Sequence, residues 1–389
     1  MTTFKDYNIH PQLSQSLEKL HITVPTPIQA LALPKAFEGR DILASAQTGS
    51  GKTIAYLLPI LQGLLNSKTD TALILVPTRE LAIQARSTII EILGKNSPLH
   101  TTTLIGGESI SQQLWQLKNN PAIIIGTPGR VNDHINRKSL KFSFSHLKYL
   151  VLDEVDRMLD IGFAEQLEII LQHLPKERQT FMFSATMPKY IMDIARQYLN
   201  DPEKISVDGD NKPGAQIQQS AIKVAANEKF ALLKEELVNK EGSVIIFVKT
   251  KLGAEKLTDW LDAQGHNVDT LHGNLHQRAR TRVIQAFRDF KFRILVATDV
   301  ASRGLDVPHI QYVINFDLPD SIEDYIHRIG RTGRAGAIGY AVSFVSPDQY
   351  NKWRPINRAF QISNFAEDAS PKTGARFNRS ADKKHRSYR

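Results

Sequence analysis

The chain contains no cysteine among its 389 residues, which excludes disulfide bonds and thiolate metal sites. Long apolar runs are also absent, since an aliphatic stretch such as residues 72–76 is far too short to cross a bilayer. The first seven residues carry no apolar export segment. These absences predict a cytoplasmic protein without a membrane partner.

Charge of both signs is plentiful, and 41% hydrophobic with 23% charged residues is typical of a globular protein. The length suits two domains of about 200 residues better than one core. A net charge of +9 favours a polyanionic partner. Composition alone leaves nucleic acid, a membrane surface and a merely soluble basic surface open.

Short aliphatic runs alternate with longer mixed segments, a pattern typical of parallel strands covered on both faces by crossover helices. The sequence therefore predicts a doubly wound α/β sheet in each half of the chain. Helices are expected at 52–65 and 79–93. The predicted strands are 42–45, 72–76, 102–105, 122–126, 149–152, 180–183, 244–247, 268–271, 294–297, 312–315 and 340–345.

Residues 200–216 interrupt this pattern with proline, glycine, aspartate and asparagine, and so predict a linker. We divide the chain into a first domain (1–205), a linker (206–217), a second domain (218–362) and a tail (363–389). The tail has seven cations, three carboxylates and few aliphatic residues, which predicts a disordered basic arm that seeks phosphate. An inert soluble tail is the alternative.

A glycine-rich loop at 46–53 follows a predicted strand and opens a predicted helix, where backbone N–H groups and the helix dipole can hold phosphates. Lys52 is expected to reach the β and γ phosphates, and the Thr53 hydroxyl to bind Mg²⁺. Ala46 stands where the general pattern has glycine, and fits if its φ is negative. A chance glycine-rich turn is the alternative. The candidate ATP-binding residues here are Ala46, Gln47, Thr48, Gly49, Ser50, Gly51, Lys52 and Thr53.

Asp153 and Glu154 follow the apolar run 149–152, at the end of a strand where ligands of open parallel sheets bind. Asp153 is predicted to hold Mg²⁺, and Glu154 to orient and deprotonate an attacking water. Two carboxylates that cap the following helix are the alternative.

Arg331 and Arg334 are three residues apart, so both guanidinium groups project from one face of a helical turn. We expect them to spread the charge of a phosphoryl transition state. Because they lie beyond the predicted linker, catalysis should require the two halves to close. The nearby glycines mimic a dinucleotide fingerprint, but they follow a helix-like segment instead of a strand, so that interpretation is discounted.

With these residues in order, the chain resembles the DEAD-box family of ATP-dependent RNA helicases, with the acid motif as Asp-Glu-Val-Asp, over about residues 4–360. The short tail and the lack of cysteine resemble bacterial members. The resemblance implies two tandem RecA-like domains and the use of ATP and Mg²⁺. The matching motifs are 24–29, 46–53, 77–81, 106–107, 127–130, 153–156, 184–186, 245–248, 272–273, 297–299, 303–306 and 327–334.

The resemblance also implies how adenosine is held. Gln29 is expected to read the adenine edge, because a carboxamide both donates and accepts, and Phe4 to support it. Asp306 is implied to contact the ribose. Ile22 stands where the family usually has an aromatic that stacks on adenine, so weaker packing on the base is expected.

Further residues are implied to couple hydrolysis to RNA or to contact RNA. Ser184 and Thr186 are the coupling residues, and His327 joins the network near the γ phosphate. Glycines, hydroxyls and arginines contact a sugar–phosphate backbone without reading bases, and the aromatics form no array that would stack bases. The RNA-binding candidates are Pro77, Thr78, Arg79, Gly106, Gly107, Thr127, Pro128, Gly129, Arg130, Gly273, Gln277, Arg280 and Thr298.

We therefore expect an RNA-stimulated ATPase that unwinds or remodels RNA, as a monomer, in ribosomal or RNA-decay assemblies. An ATP-gated RNA clamp or annealing chaperone is the alternative, and strand displacement separates the two. A DNA translocase is the third hypothesis, which competition between matched RNA and DNA strands would test.

Overall fold

A computed structural model describes residues 3–46, 49–94, 97–137, 144–207, 217–238, 240–302, 305, 307–333 and 337–362. The helices are α1 (Pro11–Lys19), α2 (Pro27–Phe37), α3 (Lys52–Asn66), α4 (Arg79–Leu93), α5 (Ile110–Lys118), α6 (Pro128–Asn136), α7 (Val155–Asp160), α8 (Ala164–Gln172), α9 (Lys189–Tyr198), α10 (Lys229–Val238), α11 (Lys251–Ala263), α12 (Gln277–Arg288), α13 (Asp299–Ser302), α14 (Ile322–Ile329) and α15 (Tyr350–Phe360). The strands are β1 (Ile42–Ser45), β2 (Thr71–Leu75), β3 (Thr101–Leu104), β4 (Ile123–Gly126), β5 (Leu147–Leu152), β6 (Gln179–Ser184), β7 (Glu203–Ser206), β8 (Ile217–Lys223), β9 (Ser243–Phe247), β10 (Val268–Leu271), β11 (Ile294–Ala297), β12 (Ile310–Asn315) and β13 (Gly339–Val345). The predicted tail lies outside the described residues.

The strands form two parallel sheets, one in each half of the chain, and we call the two halves the first and second lobes. The first has the order β3-β4-β2-β5-β6-β1-β7, and the second has the order β10-β11-β9-β12-β13-β8. Register is regular around β1, where Ile42 lies opposite Phe181 of β6 and Glu203 of the edge strand β7. Two doubly wound α/β domains in tandem are therefore confirmed.

Apolar side chains cover both faces of each sheet. In β2, Ala72 and Ile74 belong to the cluster on one face, whereas Leu73 and Leu75 belong to the cluster on the other. The same alternation in β9 places Ile245 and neighbouring residues on opposite faces of the second sheet. Burial on both faces explains why these strands are continuous apolar runs in the sequence.

Two strands were not predicted. Residues 203–206, inside the expected linker 200–216, form β7 and pair with β1, and β8 begins at Ile217 and pairs with β13. Both are edge strands with exposed or half-exposed residues, so neither has the continuous apolar run of a central strand. The linker expectation is therefore wrong for 203–206 and for Ile217, and residues 208–216 lie outside the described part.

The loops at the carboxyl ends of β1, β2 and β5 carry predicted motifs, and residues of these loops line one cleft with residues of the second lobe. Parallel sheets bind ligands at this edge. None of the helices in the described part of the chain combines the length and apolar character that a membrane span requires.

Candidate functional site

The glycine-rich loop connects β1 to α3 as the sequence predicts. Gly51 caps α3 with φ +97°, a left-handed conformation that favours glycine, and an added Cβ would lie 2.6 Å from Gln29 Nε2. Ala46 is buried and is not among the described non-glycine residues with positive φ, so alanine fits there. Its N–H donates to the Ser184 carbonyl at 3.0 Å, which extends the sheet into the loop.

Lys52 and Asp153 form a buried and incompletely paired couple. Lys52 Nζ lies 3.8 Å from Asp153 Oδ1, and neither atom has a hydrogen-bond partner among the described residues. Burial raises the pKa of Asp153 to about 6, against the opposing effect of Lys52. Tyr56 donates its hydroxyl to Asp153 Oδ2 at 3.3 Å. Two orphaned buried polar atoms of opposite charge fit a site that holds phosphate and a cation.

Glu154 begins α7 in a left-handed conformation with φ +52° and makes no side-chain cap bond to the helix. The geometry therefore disfavours the capping alternative for this carboxylate. Its Oε2 accepts from Arg157 Nη1 at 2.5 Å. Burial raises the pKa of Glu154, but Arg157, Lys52 and Arg331 together outweigh burial and lower it to about 2. The side chain is a fully ionised carboxylate.

A cleft of about 210 Å³ joins the two lobes at this point. Arg331 from the second lobe faces it, with Nη1 donating to the Leu305 carbonyl at 2.7 Å and Nε to the His327 carbonyl at 3.0 Å. Burial, with Arg157 and Arg331 nearby, lowers the pKa of His327 to about 4, so its ring is neutral. The cleft is lined by Gly49, Gly51, Lys52, Thr53, Tyr56, Val76, Leu81, Gln84, Ala85, Asp153, Glu154, Leu305 and Arg331.

Asp156, the last residue of the acid motif, connects this cleft to the two predicted coupling residues. Its Oδ2 accepts from the N–H groups of Ala185 and Thr186 at 2.9 and 3.0 Å and from Thr186 Oγ1 at 3.2 Å. Its own N–H donates to Ser184 Oγ at 3.4 Å. The motif that carries Glu154 is therefore fixed to the loop after β6.

Gln29 and Phe4 are both buried, and Gln29 contacts the loop. Gln29 Nε2 donates to the Gly51 carbonyl at 2.9 Å, and its Oε1 accepts from the Thr26 N–H at 2.9 Å. A carboxamide has one further donor and acceptor position beyond these bonds. Phe4 belongs to the core cluster of the first lobe, and Ile22 packs against that cluster.

Most of the predicted RNA-binding residues of both lobes line a second cleft, of about 400 Å³. Gly107 also belongs here, because an added Cβ would lie 3.2 Å from Gln277 Cβ. Pro128 and Thr298 lie outside the lining. Pro128 is buried at the start of α6, and Thr298 is buried directly after β11. The lining residues are Pro77, Thr78, Arg79, Glu80, Gly106, Thr127, Gly129, Arg130, Asp133, Ile161, Phe163, Gly273, Leu275, Gln277 and Arg280.

The Arg79 guanidinium lies over Gly106 and Gly107, which the sequence also predicts to bind RNA. A Cβ at Gly106 would lie 2.7 Å from Arg79 Nη2, and one at Gly107 would lie 2.6 Å from Arg79 Nη1. Gly107 also has φ +80°. Both glycines are therefore required for the position of this arginine, whose Nη1 donates to Gln277 Oε1 at 3.2 Å across the lobes.

The sequence missed several residues of the two clefts. Glu80 accepts from Arg280 and Gln277 of the other lobe, and Arg157 pairs with Glu154. Tyr56 and Asp156 bond as described above. Asp156 and Glu80 lie inside two of the matching motifs, so the sequence could have indicated them. Their partners are distant in sequence and could not be predicted. Four predicted residues, Gln47, Thr48, Asp306 and Arg334, lie outside the described residues.

Comparison with known proteins gives a consistent result for both lobes. The family model DEAD/DEAH box helicase matches residues 26–194, and the model helicase conserved C-terminal domain matches residues 228–336. The chain is 40% identical over 360 residues to DEAD-box ATP-dependent RNA helicase CshA of Geobacillus kaustophilus, covering 92% of this chain and 76% of that protein.

Two further similarities agree. The chain is 44% identical over 349 residues to ATP-dependent RNA helicase DbpA of Bacillus subtilis, covering 89% of this chain and 72% of that protein. Its fold is similar to that of Saccharomyces cerevisiae Dbp5 bound to RNA and ADP BeF3, with a TM-score of 0.80, 31% identity, and coverage of 94% and 95% of the two chains.

Proposed function

This chain belongs to the DEAD/DEAH box helicase family, and we propose that it is an ATP-dependent RNA helicase that unwinds or remodels RNA duplexes and RNA–protein complexes. The observation that carries the proposal is the cleft of about 210 Å³, to which the first lobe contributes Lys52 and Glu154 and the second contributes Arg331. Such a site is complete only when the lobes meet, so nucleotide turnover depends on closure.

The loop and Lys52 bind the ATP phosphates in this proposal. The orphaned Lys52 ammonium supports it, because a phosphate oxygen would supply the missing acceptor. Thr53 and Asp153 would hold Mg²⁺, which neutralises phosphate charge when bound. Magnesium commonly takes one or two carboxylates plus phosphates, and no cluster of three or more acidic, histidine or cysteine ligands is found in the part of the chain described here.

Glu154 orients the attacking water. Against the effect of burial, Arg157, Lys52 and Arg331 lower the pKa of Glu154 and so keep it ionised, which lets its carboxylate accept a hydrogen bond from the water and then its proton. Arg331 stabilises the charge that develops on the γ phosphate. Its bonds to two carbonyls of its own lobe hold the guanidinium in place.

RNA binds along the second cleft through its backbone, and therefore with little sequence preference. Arg79, Arg130 and Gln277 supply donors from both lobes. Since ATP and RNA each bind across the same lobe interface, each strengthens the binding of the other. The proposal extends to a cytoplasmic monomer that acts on ribosomal or RNA-decay assemblies.

An ATP-gated RNA clamp is the second candidate function. The ion pair between Glu80 and Arg280 joins the lobes directly, at 2.9 Å, and favours a state that holds RNA without displacing a strand. A strand-displacement assay on short duplexes separates the candidates. RNA retention without displacement would favour the clamp.

The variant Glu154→Gln tests the proposed function. We expect RNA-stimulated turnover to fall by about 100-fold or more, with ATP and RNA binding retained, because the amide keeps the shape but loses the charge. Glu165→Gln, at an exposed position of α8, is the matched control. Turnover of Glu154→Gln equal to that of the control would remove Glu154 from its proposed role.

A further inference from the structure

Helix α12 begins in the RNA cleft and leads away from it. Its first turn contributes Gln277 and Arg280 to the cleft, and its 12 residues extend for about 18 Å. Arg278, Arg282 and Arg288 are exposed on one side of the helix, and the exposed Lys291 follows. Within residues 277–293, these four exposed cations face one exposed carboxylate, Asp289. The outer side of α12 is therefore strongly basic.

Phe290, just past the end of this helix, occupies a position that favours glycine. Its φ is +56°, its N–H donates to the Phe287 carbonyl, and the Lys291 N–H donates to the Ala286 carbonyl. These two bonds define a Schellman motif, in which the left-handed residue is usually glycine. The side chain is also 68% exposed. Both the positive φ and the exposure of the apolar ring to water cost free energy. A phenylalanine retained here therefore indicates a function for its ring.

The ring of Phe290 rests on a fixed support. It stacks on the His309 imidazole with centroids 3.8 Å apart and an interplanar angle of 25°. His309 is held in turn by Ser243 Oγ, 2.8 Å from Nδ1, and by an edge contact with Phe287. The phenyl ring is therefore preorganised, with most of its surface in solvent.

We propose that this surface binds single-stranded RNA that leaves the cleft, through phosphate contacts to Arg278, Arg282, Arg288 and Lys291 and stacking of a base on Phe290. We name these five residues the α12 stripe. The inference rests on the proposed function, because its first contact is the RNA held at Gln277. Continuity with the cleft and the excess of cations favour RNA over a protein partner. Aromatic stacking suits any base, so the stripe adds affinity without sequence preference.

The test compares two RNAs on the full chain: a short single strand that fills only the cleft, and the same strand extended at either end in turn. Phe290→Gly removes the ring and places the favoured residue at the helix end, so the variant should fold. We expect it to bind one of the extended RNAs about tenfold more weakly than the unmodified chain does, and the short RNA equally well. Arg282→Gln should reduce the salt dependence for that extended RNA by about 0.7 in log–log slope.

Two matched controls define the outcome. Trp115→Ala removes an exposed aromatic of the first lobe, and Lys256→Gln removes an exposed cation of the second. If Phe290→Gly behaves like Trp115→Ala on every extended RNA, or weakens the short RNA equally, the α12 stripe is not an RNA site. If the short RNA does not stimulate ATPase activity of the unmodified chain, the proposed function itself is wrong. The two failures are therefore distinguishable.

Discussion

Glu80 and Arg280 belong to different lobes, yet Arg280 Nε donates to Glu80 Oε1 at 2.9 Å, and each side chain is only 11% exposed. Gln277 Nε2 donates to the same oxygen at 3.3 Å. The pair connects the first turn of α4 with the first turn of α12, and both residues line the proposed RNA cleft. It exists only when the lobes are together.

Glu80→Gln should therefore weaken closure without unfolding either lobe. Removing one member leaves the other charge buried and unpaired in the closed form, whereas water solvates it when the lobes separate. We expect the RNA concentration for half-maximal ATPase activity to rise by about tenfold, with little change in Tm. Glu91→Gln, at an exposed position on the same helix, is the control. An unchanged RNA requirement would contradict the role of the pair.

Thr186→Val should separate hydrolysis from strand displacement. The change removes one of three bonds to Asp156 Oδ2 and keeps the two backbone bonds, so the loop should stay in place. A hydrogen bond to a carboxylate contributes about 1.5 to 3 kcal/mol, which corresponds to roughly 10- to 150-fold in an equilibrium between lobe arrangements. Displacement of short duplexes should fall by that factor, while RNA-stimulated ATPase activity stays near that of the unmodified chain. A parallel fall of both rates would argue against coupling through this hydroxyl.

Ile22→Phe should tighten adenine nucleotide binding. Ile22 packs against the cluster that contains Phe4, and an aromatic ring there would add stacking worth about 0.5 to 1.5 kcal/mol. We expect the Kd for ATP to fall by about two- to tenfold, measured by titration with a fluorescent analogue. Ile22→Leu keeps the volume without the ring and serves as the control. Equal affinity in the two variants would mean that the base does not reach this position.

His134 should make the first lobe less stable in acid. Burial, with Arg130 and Arg137 nearby, lowers its pKa to about 4, whereas in the unfolded chain it is near the ordinary 6.5. As the pH falls below about 6.5 the unfolded chain binds the proton first, so the free energy of unfolding decreases, by about 2 kcal/mol near pH 5.

Denaturant unfolding near pH 8 and near pH 5 measures this dependence. His134→Gln should reduce it, since the amide does not titrate and can still bond to Gln113, whose Oε1 lies 2.9 Å from His134 Nε2. His146→Gln changes an exposed histidine and should leave the dependence as it is. The same pH dependence in both variants would assign the effect to other groups.

The sequence predicts the interior strands of each sheet well, but it misses two of the four edge strands, β7 and β8. Interior strands such as β1 and β11 are buried on both faces, so their apolar runs have the observed bounds. An edge strand such as β7 faces solvent, and its charged Glu203 and Lys204 resemble a loop. The physical reason is that the burial of a strand's faces, and not its hydrogen bonding, determines whether its residues form an apolar run.

For the clefts, spacing predicts which residues of one motif lie together, but not which motifs meet. Lys52 is predicted to contact phosphate and Asp153 to hold Mg²⁺, and the two side chains lie 3.8 Å apart. The contacts of Glu80 with Arg280, and the stack of Phe290 on His309, join residues whose separation in sequence carries no periodic signal. The positive φ and the exposure of Phe290 are visible only in the structure.

Arg331 is anchored to carbonyls of its own lobe, and this has a consequence for inhibition. The guanidinium travels with that lobe as a fixed part, so a displacement of the lobe carries it away from the phosphates. A small molecule that binds between the lobes and holds them apart would stop hydrolysis, although every contact of the bound nucleotide with the first lobe would remain.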